Sequence, residues 1–380
     1  MDLKLFFDPT DVDVDQTPTS FQSSIYVNKH KMPDYQGMDV AFIGLNEYRG
    51  TTNGGSEKSP DVIREQLYKL KKGFGDYAIV DLGNFRNGPN LEDTYLRLKE
   101  VCSYLMEKSI IPVLFGGSHD LDLGQYYSYE NGGKLVSVLN VDNSMDFSGS
   151  NASEGHLGKI FKHNPNYLFS YYQLAYQSYL VDQKELELMD ELAFEAVRLG
   201  VVKENLKDIE PMVRDADMLT FDLSSLQVSY APGASDSKVY GLTGEEACQL
   251  SWYAGQNEKL SSIGLFNYDE QSDTDDRKNA FVIGTMIWYF VEGFYHRKGD
   301  KNFKSNDYLV YEVHFGGEPE TIKFYKSKLS ERWWMEVPNA ESMGVFNRSR
   351  MIACNYSDYE MALQGEVPDR WLNFYSKAQP

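Results

Sequence analysis

Val136–Gly149 reads VSVLNVDNSMDFSG. Its first six residues are mostly apolar and β-branched, the composition of a strand buried on both faces, as strands of parallel sheets are. Where that apolar run stops, two carboxylates follow, Asp142 and Asp146, with Asn143, Ser144 and Met145 between them. In open α/β sheets ligands gather beyond the carboxyl ends of the strands. Two aspartates at such a tip are therefore a metal site, a damaged metal site, or a loop with two solvated acids.

Outward from this stretch, short apolar runs recur at residues 39–45, 77–82, 110–115, 135–141, 196–200, 218–223 and 262–266. Helical patterns fall between them, at 60–72, 91–108, 244–255 and 277–295. Strands that alternate with helices pair in parallel, because each parallel return needs a crossover. The expected fold is a three-layer α/β/α with a mainly parallel, doubly wound sheet. The ends differ from this pattern. Residues 1–37 are rich in Asp, Pro, Ser and Thr and read as an arm; 38–300 form the α/β domain. Residues 301–380 read as an aromatic-rich appendage, with a hairpin (321–326 and 332–337) and then a tail, that carries Trp333, Trp334 and Trp371. Tryptophans of this kind either anchor a protein partner or pack the appendage itself, and both readings stand at this point.

A net charge of -20 and a pI near 4.7 exclude partners that need a basic surface, so neither nucleic acid nor an anionic membrane is expected. The longest apolar run, 280–295, contains Glu292 and is short for a membrane span, so it reads as a buried helix. Cys102, Cys248 and Cys354 are odd in number and far apart, which suits a reducing cytoplasm.

Three strand ends carry groups that bind hard divalent cations. The 110–115 run leads into Gly116, Gly117, Ser118 and His119, where two glycines permit a sharp turn that presents the histidine. The second end is Asp142 with Asp146, and the third is Asp222, followed by Ser224 and Ala231-Pro232-Gly233. Each residue alone is more often a cap, a core residue or a solvated loop residue than a ligand. One histidine and three aspartates at the tips of three strands suit an ion such as Mn²⁺.

These segments resemble the ureohydrolases, the family of arginase, agmatinase and formimidoylglutamase. Gly116-Gly117-Ser118-His119 resembles the family's GGDH, residues 142–146 its DAHxD, and Thr220-Phe221-Asp222-Leu223-Ser224 its SxDxD. Ser59–Arg64 and Asp81–Asn84 resemble its GPxxIR and DxGD, and Ala231–Ser235 leans toward the formimidoylglutamase branch. The family holds two Mn²⁺ ions. The resemblance assigns one to His119, Asp142, Asp146 and Asp222, all present. The other needs a histidine and an aspartate where this chain has Ser144 and Ser224. The family's substrate-binding acid falls at Leu265, the third acid of its DxDxxDP run at Gln227, and the proline at Val228. His156 stands near the family's proton-shuttling histidine, one residue out of register, the alternative being a surface loop histidine.

Without the second ion's ligands a two-ion bridge that makes hydroxide at neutral pH does not assemble. The expectation is thus one divalent cation or none, in a degraded ureohydrolase. Such a protein acts as a binding or assembly component, through the aromatic appendage or as a homo-oligomer. The alternative is a one-metal C–N hydrolase of formimidoyl, amidine or amide groups, with His156 as acid or base.

Overall fold

The structure is a computed structural model. It describes all residues except 15–16, 53, 235, 301, 338–350 and 379–380; Ser235, used above to place the branch, lies outside the described residues.

Ten strands form the main sheet: β1 (Phe7–Asp8), β2 (Tyr26–Val27), β3 (Val40–Gly44), β4 (Ile79–Phe85), β5 (Ile111–Phe115), β6 (Val136–Val141), β7 (Leu168–Tyr176), β8 (Glu195–Arg198), β9 (Met218–Asp222) and β10 (Ser262–Phe266). Their order is β1-β4-β3-β5-β10-β9-β6-β7-β8, with β2 also on β4. Only β1 runs antiparallel to its neighbour. Helices cover both faces: α1 (Ser59–Lys69), α2 (Leu91–Glu107), α3 (Asp122–Tyr127), α4 (His156–Phe161), α5 (Gln183–Glu191), α6 (Leu199–Glu204), α7 (Leu206–Asp215), α8 (Gly244–Gln256) and α9 (Lys278–Tyr295).

The two faces are legible in one strand. Val40 and Phe42 point into the core shared with α1 and α9, whereas Ala41 and Ile43 point into the core shared with α2 and α3. Side chains alternate across a strand, so a strand apolar at every position must be covered on both sides. This is the expected three-layer α/β/α arrangement.

The run 280–295 lies within α9, packed against α8, and no helix among the described residues is long and apolar enough to cross a membrane. The three cysteines are unpaired and buried.

Beyond α9 the chain builds a second, antiparallel sheet from β11 (Tyr308–His314), β12 (Thr321–Ser327), β13 (Trp333–Glu336) and β14 (Met351–Cys354), followed by α10 (Tyr356–Leu363) and α11 (Asp369–Ala378). Trp333, Trp334 and Trp371 are all buried, the first and third in a core with Phe324, Met335 and Ile352. They pack the appendage.

Three details depart from the sequence pattern. Residues 1–37 contribute two short strands, β1 and β2, to the edge of the main sheet. The sequence run at 196–200 is a four-residue strand that passes directly into α6. The aromatic stretch after residue 167 is a full nine-residue strand, β7.

Candidate metal centre

The four strands β5, β10, β9 and β6 lie side by side and end level. Leu265 is paired with Phe115, Phe266 with Asp222, and Phe221 with Val141. Asp142, one residue past Val141, thus emerges next to Asp222. From β5, Gly116 and Gly117 adopt φ 85° and 73°, a region that disfavours side chains. A Cβ on Gly116 would sit 2.6 Å from the Leu45 carbonyl oxygen, so only glycine lets this turn pass beneath β3 and deliver His119 over the strand ends.

His119, Asp142, Asp146 and Asp222 converge, with ligand atoms all within 4.8 Å of one another. His119 Nδ1 lies 3.3 Å from Asp142 Oδ2 and 3.1 Å from Asp222 Oδ2. Its other nitrogen, Nε2, is engaged by Thr220 Oγ1 at 2.9 Å. His119 Nδ1 and Asp142 Oδ2 are buried and have no hydrogen-bond partner. Asn267, at φ 68°, accepts from the His119 backbone N–H through its Oδ1 and donates to Asp222 Oδ2. Gln173 from β7 donates to the carbonyls of Asp142 and Ser144. The cluster is sealed: His119, Asp142 and Asp222 are at most 2% exposed, and solvent reaches it through Asp146, whose side chain is 17% exposed.

His156 is no loop histidine. It opens α4, is fully buried, and lies beside His119 with ring centroids 4.4 Å apart. Its Nδ1 bonds Asp122 Oδ1 at 2.8 Å, and its Nε2 faces Asp146 Oδ2 at 3.5 Å without a hydrogen-bond partner.

Electrostatics follow from this crowding. Burial, then Asp222 and Asp146, push the Asp142 carboxyl up to about 8. Burial works against charge on Asp146 too, but His156 and His119 outweigh it and hold its pKa down. Burial opposes charge on both histidines. The carboxylates Asp142 and Asp222 nevertheless hold His119 well above its ordinary value, and Asp122 raises His156 to about 9. Among the described residues, the ion-pair partners of Asp142, Asp146 and Asp222 are these two histidines. Three clustered acids and two imidazoles, with Asp142 Oδ2, His119 Nδ1 and His156 Nε2 left unpartnered, fit a divalent cation.

The positions that the family resemblance assigns to a second ion and to the substrate are also defined. Ser144 Oγ donates to Asp146 Oδ1 at 3.0 Å, and Ser224 Oγ to Asp142 Oδ1 at 3.4 Å. Leu265 is buried in the apolar core with Phe115 and Phe221, so it adds no acid to the site. Gln227 binds the Gly241 carbonyl through Nε2, and Val228 is exposed. Asp122, Asn267 and Gln173 have no signal in their own residue types; for Asp122 a hint was its place one turn after His119.

The family model described as Arginase family matches residues 38–292. The formimidoylglutamase of Staphylococcus haemolyticus is 24% identical over 294 residues, covering 71% of this chain and 92% of that protein. The Streptococcus pyogenes formimidoylglutamase is 25% identical over 296 residues, covering 70% and 88%. The crystal structure of Trypanosoma cruzi formiminoglutamase with Mn²⁺ is similar with a TM-score of 0.63 at 19% identity, covering 70% of this chain and 96% of that one. Formimidoylglutamase from Bacillus subtilis gives 0.65 at 15% identity, covering 77% and 98%. At these identities the structural likeness establishes the fold.

Proposed function

The chain belongs to the arginase family, and from that premise we propose that it holds one divalent cation and serves as a binding or assembly component rather than as a two-ion hydrolase. The ion takes His119, Asp142, Asp146 and Asp222, with Mn²⁺, the ion of the Trypanosoma cruzi relative, as the first choice. The observation that carries this reading is the use of the two serines. Ser144 and Ser224 spend their hydroxyls on the carboxylates of Asp146 and Asp142. A neutral hydroxyl is a weak donor to a hard cation, and these two are already committed as hydrogen-bond donors. A bound cation would offset the repulsion that raises Asp142 and would acidify a bound water. Leu265 leaves no carboxylate in that position to pair with a cationic substrate. The appendage lies beyond the family match and has its own core, into which its tryptophans are packed, so on this reading a protein partner would meet other parts of its surface.

Elemental analysis of protein purified without chelator tests this, together with a hydrolysis assay. The expected result is one equivalent of cation per chain and no turnover of N-formimidoylglutamate; two equivalents would overturn it.

The unpartnered Nε2 of His156 beside Asp146 favours a second reading, a one-ion hydrolase acting on a formimidoyl, amidine or amide group with His156 as acid or base. On N-formimidoylglutamate, water would add to the amidine carbon and the bond to the glutamate nitrogen would break, giving glutamate and formamide. Formamide release that is lost in Asp142→Ala would establish this reading and remove the first.

A further inference from the structure

We propose that His156 is itself a ligand of the cation, aimed by Asp122, so that one ion has two imidazoles where the family resemblance assigns its first ion one. The inference rests on the one-cation reading and deepens it by naming a further donor.

Two independent features of the fold point to it. The first is the fixed orientation of the ring. Asp122 Oδ1 lies 2.8 Å from His156 Nδ1, and both side chains are fully buried. An ionised carboxylate only accepts hydrogen bonds, so it draws the proton of a neutral imidazole to Nδ1 and leaves the lone pair on Nε2. A carboxylate behind a histidine is the usual device for holding a metal ligand in its binding tautomer. The second feature is the direction of Nε2. It is buried, has no hydrogen-bond partner, and points at Asp146 from 3.5 Å. That separation is long for a hydrogen bond but suits two donors on one ion. Bonds of about 2.1 Å place neighbouring ligand atoms roughly 3.0 Å apart at octahedral angles and roughly 3.4 Å apart at tetrahedral ones. The edges around His119 Nδ1, 3.1 and 3.3 Å, are of the same kind.

His119, Asp146 and His156 form a second grouping within 4.8 Å, which shares His119 and Asp146 with the four-residue set. The two groupings are separate, so an ion bound by His156 would rest on the shared pair, His119 and Asp146, and would not take all five donors at once. The shared pair with His156 is two histidines and one carboxylate. Imidazole donors favour Zn²⁺ and Fe²⁺ over the oxygen-preferring Mn²⁺. The second imidazole therefore tilts the selectivity of the site toward Zn²⁺.

X-ray absorption fine structure of the full chain loaded with Zn²⁺ counts the imidazoles directly and needs no variant. Two coordinated imidazoles are expected; one imidazole overturns the inference and leaves the one-cation reading standing, whereas failure to bind any divalent cation overturns both. Calorimetric titration of Asp122→Asn and His156→Gln, each checked for native circular dichroism, supplies the second measurement. Asp122→Asn is expected to weaken Zn²⁺ about 10- to 100-fold. His156→Gln is expected to weaken Zn²⁺ more than Mn²⁺. An unchanged ratio of the two affinities in folded His156→Gln overturns the inference.

Discussion

Ser144 and Ser224 occupy the same local positions from which a longer or charged side chain would reach an ion between Asp142 and Asp222. Ser224 sits two residues past Asp222, its backbone N–H bonded to Asp222 Oδ1 at 2.6 Å, and Ser144 stands two residues past Asp142 with its N–H 3.3 Å from Asp142 Oδ1. These backbone bonds fix both residues at the cluster, so on the one-cation proposal what limits binding there is donor chemistry, not proximity. The double substitution Ser144→His with Ser224→Asp should therefore raise the cation content from one to two equivalents per chain, read by elemental analysis after dialysis against Mn²⁺. If the content stays at one, the absence of the second ion has a cause other than these two side chains. This part of the site was legible in the sequence because the acids and serines lie in short segments whose spacing survives folding. Asp122 was not legible, because its partner His156 is 34 residues away and nothing local separates it from an aspartate that starts a helix. Asn267 escaped for a related reason: its role depends on a backbone conformation, φ 68°, that asparagine tolerates but its neighbours do not announce.

At the scale of elements, two motifs that resemble family signatures prove to be one joint. Arg64 of α1 is fully buried and places Nε and Nη2 2.9 Å from the two oxygens of Asp81 in β4, itself fully buried. Nη2 also reaches the Gly83 carbonyl at 2.8 Å, and the Tyr68 hydroxyl donates to Asp81 at 2.8 Å. The two motifs thus clamp the first crossover helix to the sheet instead of entering the candidate cation site. Removing one partner of a buried pair strands the other charge in a medium of low dielectric. Arg64→Met should cost about 3 to 5 kcal/mol of stability, and the Arg64→Met/Asp81→Leu pair much less than the sum of its two single changes. Urea denaturation of the four proteins measures this. A single-mutant cost below about 1 kcal/mol would mean that the clamp contributes little. The central strands could be read from sequence because each is apolar on both faces. β7 could not, since Ser170 and Gln173 interrupt its pattern. Gln173 is buried there to bind Asn140 and the Asp142 carbonyl, so polarity that looks like a loop is part of the support beneath the centre.

For the whole molecule, the appendage and the cation centre sit at opposite ends of the sheet. The cleft between appendage and main domain is lined by Leu135, Asp217 and Lys259, which precede β6, β9 and β10, and by Phe303, Trp334 and Met351 of the appendage. The centre lies where those strands finish. The joint is carried by α7. Arg214 donates to the carbonyls of Trp333 at 2.9 Å and Cys354 at 3.2 Å, pairs with Glu210 at 3.0 Å, and lies 4.3 Å over the Trp334 ring. Arg332 and Arg370 of the appendage reach back to Glu210 and Asp215 at 3.2 and 2.9 Å. Arg214→Leu takes away the only side chain in this set that holds two appendage strands at once, and leaves two carbonyls without that donor. The expected cost is about 3 kcal/mol, concentrated in the appendage. Under limited proteolysis the first cuts should move into residues 302–378, while the resistant main domain keeps the cation content of the unaltered protein, one equivalent on the proposal above. Both readouts are needed, because the cation content separates a local loosening from a global one. Loss of the cation in step with the appendage would show instead that the two ends of the sheet are coupled, and an appendage as resistant as before would show that Arg332, Arg370 and the buried tryptophans hold it without Arg214.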